Sequence, residues 1–162
     1  MKTIFNSLAA PLVSVTIPVY NAAAYVSEAI GSLLNQTHRN LKVLVFNDGS
    51  KDNRADIIRA LHAQDPRLEF FDSGENFGYV AHLNRGLVLA QGKYIARMDA
   101  DDIALSERLA RQVAFWKLTP KWACAALGMI LMTAPMLWSA CRCLIQPSAW
   151  ACWQIRLWRT PS

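Results

Sequence analysis

Three carboxylates stand within four residues at Asp99, Asp101 and Asp102, directly beyond the run Lys93 to Met98. Like charges held that close repel one another and cost stability unless something positive sits among them. A hard divalent cation, Mg2+ or Mn2+, is the natural occupant. It takes oxygen ligands and completes its shell with water and substrate phosphates, so one or two protein carboxylates suffice. Asp99 and Asp101 have the spacing of such a pair and point to one side if the chain is still extended there. A solvated acidic loop or an Asp-rich helix start would carry the same residues, so the triplet alone does not decide between them. Two more residues have matching chemistry: Tyr20 can stack on a base, and Asp48 can accept a hydrogen bond from a base edge such as the N–H of uracil. Each also has a structural reading, Tyr20 as a strand-end aromatic and Asp48 as a turn former.

A P-loop phosphate cradle is excluded. No G-x-x-x-x-G-K-[ST] is present, and Gly74 and Gly78 do not make the dinucleotide fingerprint, so phosphate would have to be held through a metal. His38, His62 and His82 are scattered and read as surface or packing residues.

The elements that must position these groups alternate along the chain. Ser14 to Tyr20 is β-branched and aromatic, hence a strand, with Pro18 expected near its end because proline cannot serve a central ladder. From about Ala23 to Gln36, Tyr25, Ala29, Ile30, Leu33 and Leu34 recur on one helical face. Leu41 to Phe46 reads as a second strand, ended by the turn Asn47-Asp48-Gly49-Ser50. Ser50 or Asp52 can cap the next helix, with Ile57, Ile58 and Leu61 facing inward. Leu68 to Phe71 is a third strand, Gly78 to Ala90 a third helix and Lys93 to Met98 a fourth strand, with another helix from near Ser106. This is the βαβ pattern of an α/β fold with a mostly parallel sheet covered on both faces. Right-handed crossovers bring every strand's C-terminal end to one edge, where open α/β sheets bind ligands. Tyr20, Asp48 and the Asp99–Asp102 cluster stand at those ends, with no matching basic cluster.

In order and spacing, VSVTIPVYN (13–21), SLLNQT (32–37), LKVLVFNDGSKD (41–52), ENFGYVAHLNRGL (75–87) and GKYIARMDADDIALSERLARQ (92–112) resemble family 2 glycosyltransferases of the Rossmann-like GT-A fold. The resemblance covers roughly residues 12–115. It implies that Pro18, Tyr20 and Asp48 shape the nucleotide pocket, with Asp48 reading the base. Asp99-Ala100-Asp101 occupies the D-x-D motif, in which Asp99 would contact the ribose or bound metal and Asp101 would ligate the cation that bridges the diphosphate. Asn84 and Arg85 fall in the helix facing the donor. The implied reaction moves a sugar from a nucleotide-diphosphate donor, a UDP-sugar in first place, to the hydroxyl of an acceptor glycan or glycolipid, with cell-surface polysaccharide the usual destination. In inverting members the general base is an Asp or Glu well downstream of D-x-D. Nothing acidic follows Glu107 here, so no catalytic residue is assigned and the chain is expected to be a truncated, inactive donor half. Two other classes remain open: a non-catalytic nucleotide-binding module, and a phosphate-transfer domain of the receiver or phosphatase type, which usually carries its carboxylates after an earlier strand.

Composition divides the chain at the same place. All 12 acidic residues lie between Glu28 and Glu107, whereas all 6 Trp and all 4 Cys lie from Trp116 onward. The formal net charge of +5 therefore belongs to the last third and is not a nucleic-acid-binding face. We expect an N-terminal extension over 1–11, a donor-binding half-domain over 12–115, and an aberrant tail over 116–162. Two accounts of that tail compete. The uncharged stretch from Trp122 to Cys141, flanked by Lys121 and Arg142, has the length of a membrane span. Alternatively the reading frame shifts near Phe115 or Trp116: joining the last base of each codon to the first two of the next turns Trp116-Lys117 into Glu and Met129-Ile130 into Asp. The first 107 residues hold no Cys, and Asn6 and Ser7 interrupt any apolar leader. The expected location is the cytoplasm, with the cytoplasmic face of the membrane as the alternative.

Overall fold

The computed structural model describes residues 10–50 and 52–118. Four strands and four helices alternate: β1 (Val13–Val19), α1 (Val26–Leu34), β2 (Leu41–Asn47), α2 (Arg54–Gln64), β3 (Leu68–Asp72), α3 (Tyr79–Leu89), β4 (Tyr94–Arg97) and α4 (Arg108–Leu118). The sheet is parallel throughout, in the order β3-β2-β1-β4. The chain thus steps outward from β1 through β2 to β3, then returns across the sheet to lay β4 on the other side of β1. The reversal makes the C-terminal ends of β1 and β4 the topological switch point, the place where such sheets open a crevice.

β1 is buried along its whole length, as expected of a central parallel strand covered on both faces. Its alternation separates two interiors. Val13, Val15, Ile17 and Val19 join Val43 and Val45 of β2 in a core closed by Val26, Ala29, Ile30 and Leu33 of α1, Ile58 of α2 and Leu109, Val113 and Trp116 of α4. The opposite face carries Ser14 and Thr16 and is covered by α3. The approach there is close because Gly86 has no side chain: a Cβ on it would lie 2.4 Å from Thr16 Cγ2. Phe46 and Phe71 stack on one another at 4.9 Å, and the Arg85 guanidinium lies 5.8 Å and 5.4 Å from their ring centres.

Pro18 is tolerated one residue from the end of a central strand for a geometric reason. Thr16 bonds toward β4, its carbonyl accepting from Met98 N, so Pro18 faces the same side two residues on, where β4 pairing has ended. The missing N–H therefore costs no ladder bond.

The elements fall where periodicity places them, within a few residues at each end. Tyr25, expected on the buried face of α1, is instead exposed at its N-cap. Neither expected cap of α2 occupies the cap position, which is Asn53. Asp52 still accepts the first helical N–H, from Arg54 at 3.3 Å, while the Ser50 hydroxyl takes the Arg54 guanidinium. α4 runs past the boundary expected at residue 115, and Trp116 is buried in the core. The expected tail beyond Leu118, with its apolar stretch 122–141 and its four Cys, lies outside the described residues. No helix among the described residues is long and apolar enough to cross a membrane.

Candidate functional site

The groups expected at the strand ends meet at one rim, and α3 is what joins them. Asp48 follows β2 and is buried; its backbone N–H donates to the Val19 carbonyl at 3.0 Å, which sets it beside the end of β1, whose next residue is the exposed Tyr20. Its carboxylate receives the backbone N–H groups of Phe77 (2.7 Å) and Gly78 (3.1 Å), the residues leading into α3. Asp99, following β4, accepts the hydroxyl of the next residue, Tyr79, at 2.8 Å. Asp48 and Asp99 therefore clasp adjacent residues, although they come from strands that do not pair.

The expectation of carboxylates without a basic counterpart is overturned. Arg97 Nη2 lies 2.8 Å from Asp99 Oδ2, and Arg108 donates to the Arg97 carbonyl at 3.1 Å. Burial pulls the Arg108 guanidinium below its ordinary pKa, with Asp102 acting against that shift. Burial first, and then the bond to Asp99, push the Tyr79 hydroxyl well above its ordinary value, so it stays protonated and donating. These partners were hidden in the sequence because arginine two residues before an acid is unremarkable until a turn folds it back.

Asp101 is exposed and makes no side-chain hydrogen bond or ion pair with any described residue. Among the described residues no group of three or more His, Cys, Asp or Glu gathers as a metal site would. A cation at this rim would have to be completed by ligand oxygens and water rather than by a protein cage. Asp101 is the carboxylate left open, and Asp99 is already partly neutralised by Arg97.

The loop after the acidic cluster is held by the end of α1. Gln36 is fully buried; its Nε2 donates to Leu105 O at 2.7 Å and its Oε1 accepts the Leu109 N–H at 3.0 Å, capping the first turn of α4. Ser32 Oγ accepts the Ala104 N–H, and Thr37 N donates to Ser106 O. The SLLNQT segment is therefore the clamp on the D-x-D loop. On the other flank, fully buried Arg54 pairs with Asp52 and reaches Asn21 Oδ1 at 3.3 Å, tying the loop after β1 to the loop after β2.

The sequence profile of glycosyl transferase family 2 matches residues 14–131, most of the chain and some way past the boundary expected at 115. The chain belongs to this family. A glycosyltransferase of Haemophilus influenzae is 42% identical over 105 residues, 65% of this chain and 32% of that protein. This family member therefore spans about a third of that relative's length. The crystal structure of Staphylococcus aureus TarS residues 1–349 in complex with UDP-GlcNAc superposes with a TM-score of 0.60 at 28% identity, over 65% of this chain and 31% of that one. The Pyrobaculum calidifontis mannosyltransferase PcManGT, in complex with GDP-Man and Mn2+, gives 0.59 at 26% identity over 67% and 32%. The family chain thus has the GT-A α/β fold, the expected class, with its parallel sheet described from β1 to β4.

Proposed function

We propose that residues 12–115 bind the nucleotide-diphosphate sugar of a glycosyl transfer to an acceptor hydroxyl, glycan or glycolipid. The observation that carries this reading is the clasp of Asp48 and Asp99 on Gly78 and Tyr79, beside the exposed Tyr20 at the switch point. Pro18 and Tyr20 form the floor on which the base stacks, Asp48 accepts an N–H from the base edge, and Asp99 faces the ribose. Asp101 ligates Mg2+ or Mn2+ together with the diphosphate, with Asp99 as second ligand. The chemistry a bound cation supplies is neutralisation of the charge that grows on the departing diphosphate. This chain's own residues bind and orient the donor: Gln36 and Ser32 hold the acidic loop still, and Arg97 keeps the Asp99 carboxylate turned toward Tyr79. The likenesses to structures holding UDP-GlcNAc, and GDP-Man with Mn2+, support a donor of this class. The composition of residues 116–162 supports a separate origin for that segment by a shifted frame, which the coding DNA around codon 115 tests directly.

Calorimetric titration with UDP tests the reading. Saturable binding that strengthens at least tenfold on adding Mn2+ is expected; no binding with or without the metal refutes it. A second reading, nucleotide binding without a cation, is favoured by the Arg97–Asp99 pair, which already offsets one carboxylate. It requires UDP affinity to survive Asp101→Ala.

A further inference from the structure

The two oxygens of Asp48 are loaded unequally. Oδ1 receives three donors: Phe77 N at 2.7 Å, Gly78 N at 3.1 Å and His82 Nε2 at 2.8 Å. Oδ2 receives Gly78 N alone, at 3.1 Å. A carboxylate has about four acceptor positions across its two oxygens, so the capacity that remains is on Oδ2. Two of the donors on Oδ1 come from successive backbone N–H groups; the third is a side chain one turn into α3.

His82 is buried, stacked on Phe46 at 5.7 Å between ring centres and edge-on to Phe77 at 6.4 Å. A carboxylate only accepts, so Nε2 carries the proton that lies between the two groups. Its other ring nitrogen, Nδ1, is buried with no hydrogen-bond partner among the described residues. An unpaired buried acceptor is unfavourable, and a phenyl ring in the same aromatic slot would carry no such cost. Packing alone therefore does not account for an imidazole here; the Nε2–H on Asp48 does.

We propose that His82 is the positioning residue of base recognition: by saturating Asp48 Oδ1 it locks the carboxylate's rotation and leaves Oδ2 as the single reading oxygen. This rests on the assignment of Asp48 as the base acceptor. The ligand class it selects is a nucleoside diphosphate whose base edge presents an N–H, as uracil N3 does, and it discriminates against cytosine, whose N3 is an acceptor. Without His82, Oδ1 keeps only its two backbone donors and the carboxylate can tilt about its last bond, so discrimination fades while the hold on phosphate does not.

The test compares UDP, CDP and inorganic pyrophosphate by calorimetry on the full 162-residue chain in the presence of Mn2+. Wild type is expected to prefer UDP over CDP by tenfold or more. His82→Phe should bring that ratio within threefold while leaving pyrophosphate affinity unchanged, and His82→Gln, which keeps an N–H donor, should restore most of the preference. If the Phe variant does not fold, loss of the preference in His82→Ala with retention in His82→Gln serves equally. An unchanged ratio in these donor-less variants, in a protein where Asp48→Asn abolishes it, overturns the role of His82 alone. So does an equal weakening of UDP and pyrophosphate. A ratio that Asp48→Asn leaves intact, or no preference in wild type, removes the base-reading assignment and this inference with it.

Discussion

The Tyr79 hydroxyl donates to Asp99 Oδ1 across 2.8 Å, while Arg97 holds the other oxygen of the same carboxylate at 2.8 Å. The first acid of the D-x-D motif is thus oriented from α3 on one side and from its own strand on the other. Tyr79→Phe should fold and lose about 1 kcal/mol in urea denaturation, the usual net worth of one such bond. The pH dependence has a definite sign. Since the folded-state pKa of Tyr79 is raised above its ordinary value of 10.0, the difference between wild type and variant should be constant below pH 10.0 and shrink above it. A difference that grows with alkaline pH would contradict the assignment of the proton.

Gly49 is the residue on which the contact between the β2 turn and the approach to α3 depends. Its φ is +62°, and a Cβ there would lie 2.5 Å from the Glu75 carbonyl carbon and 2.6 Å from Asn76 N. Gly49→Ala combines left-handed backbone strain with a collision against backbone that has no rotamer to yield, so a loss on the order of 3 kcal/mol or more is expected. Thermal or chemical denaturation checks this, and an unaltered midpoint would refute it.

Gln36→Ala should loosen the acidic loop from a distance. The change strands the Leu105 carbonyl and the Leu109 N–H, both bonded by Gln36, and empties a fully buried site, at a cost of about 2–4 kcal/mol. Hydrogen exchange should accelerate across 104–109 more than across β1 and β2. Uniform acceleration would mean that Gln36 is part of the core rather than a clamp on the loop.

How legible these relationships are in the sequence depends on how local their causes are. Strand and helix placement follows from side-chain periodicity within a few residues, and the convergence of Tyr20, Asp48 and Asp99 follows from parallel topology. Gln36 at a helix end and His82 within a polar stretch look exposed because the groups that bury them lie 73 and 34 residues away. Charge compensation is hidden in the same way: Arg97 and Arg54 show no pattern until two turns fold them against Asp99 and Asp52. Tyr25 continues the α1 stripe in spacing but stands at the N-cap, where the helix has not yet turned it inward.

Arg54 and Asp52 give a second pH-dependent contribution, opposite in sign. Arg54 beside it holds the Asp52 carboxyl below its ordinary value of 3.8. That stability is fully present above pH 3.8 and is lost as pH falls through the lowered folded-state value. Asp52→Asn removes, from an exposed position, the charge that faces the buried Arg54 guanidinium, at about 1 kcal/mol near neutral pH after solvent screening. The gap to wild type should narrow on acidification below pH 3.8 when both are followed by denaturant titration; a gap that widens there would contradict the pair.

On the proposed function, the rim formed by Asp48, Asp99 and Asp101 holds a cation and a diphosphate together. Electron paramagnetic resonance of free Mn2+ reads this most directly. With the protein in excess, adding UDP should deplete the free-ion signal well beyond what UDP alone achieves, and Asp101→Ala should abolish the extra depletion while leaving the thermal midpoint within a few degrees. Equal depletion by wild type and Asp101→Ala would contradict it.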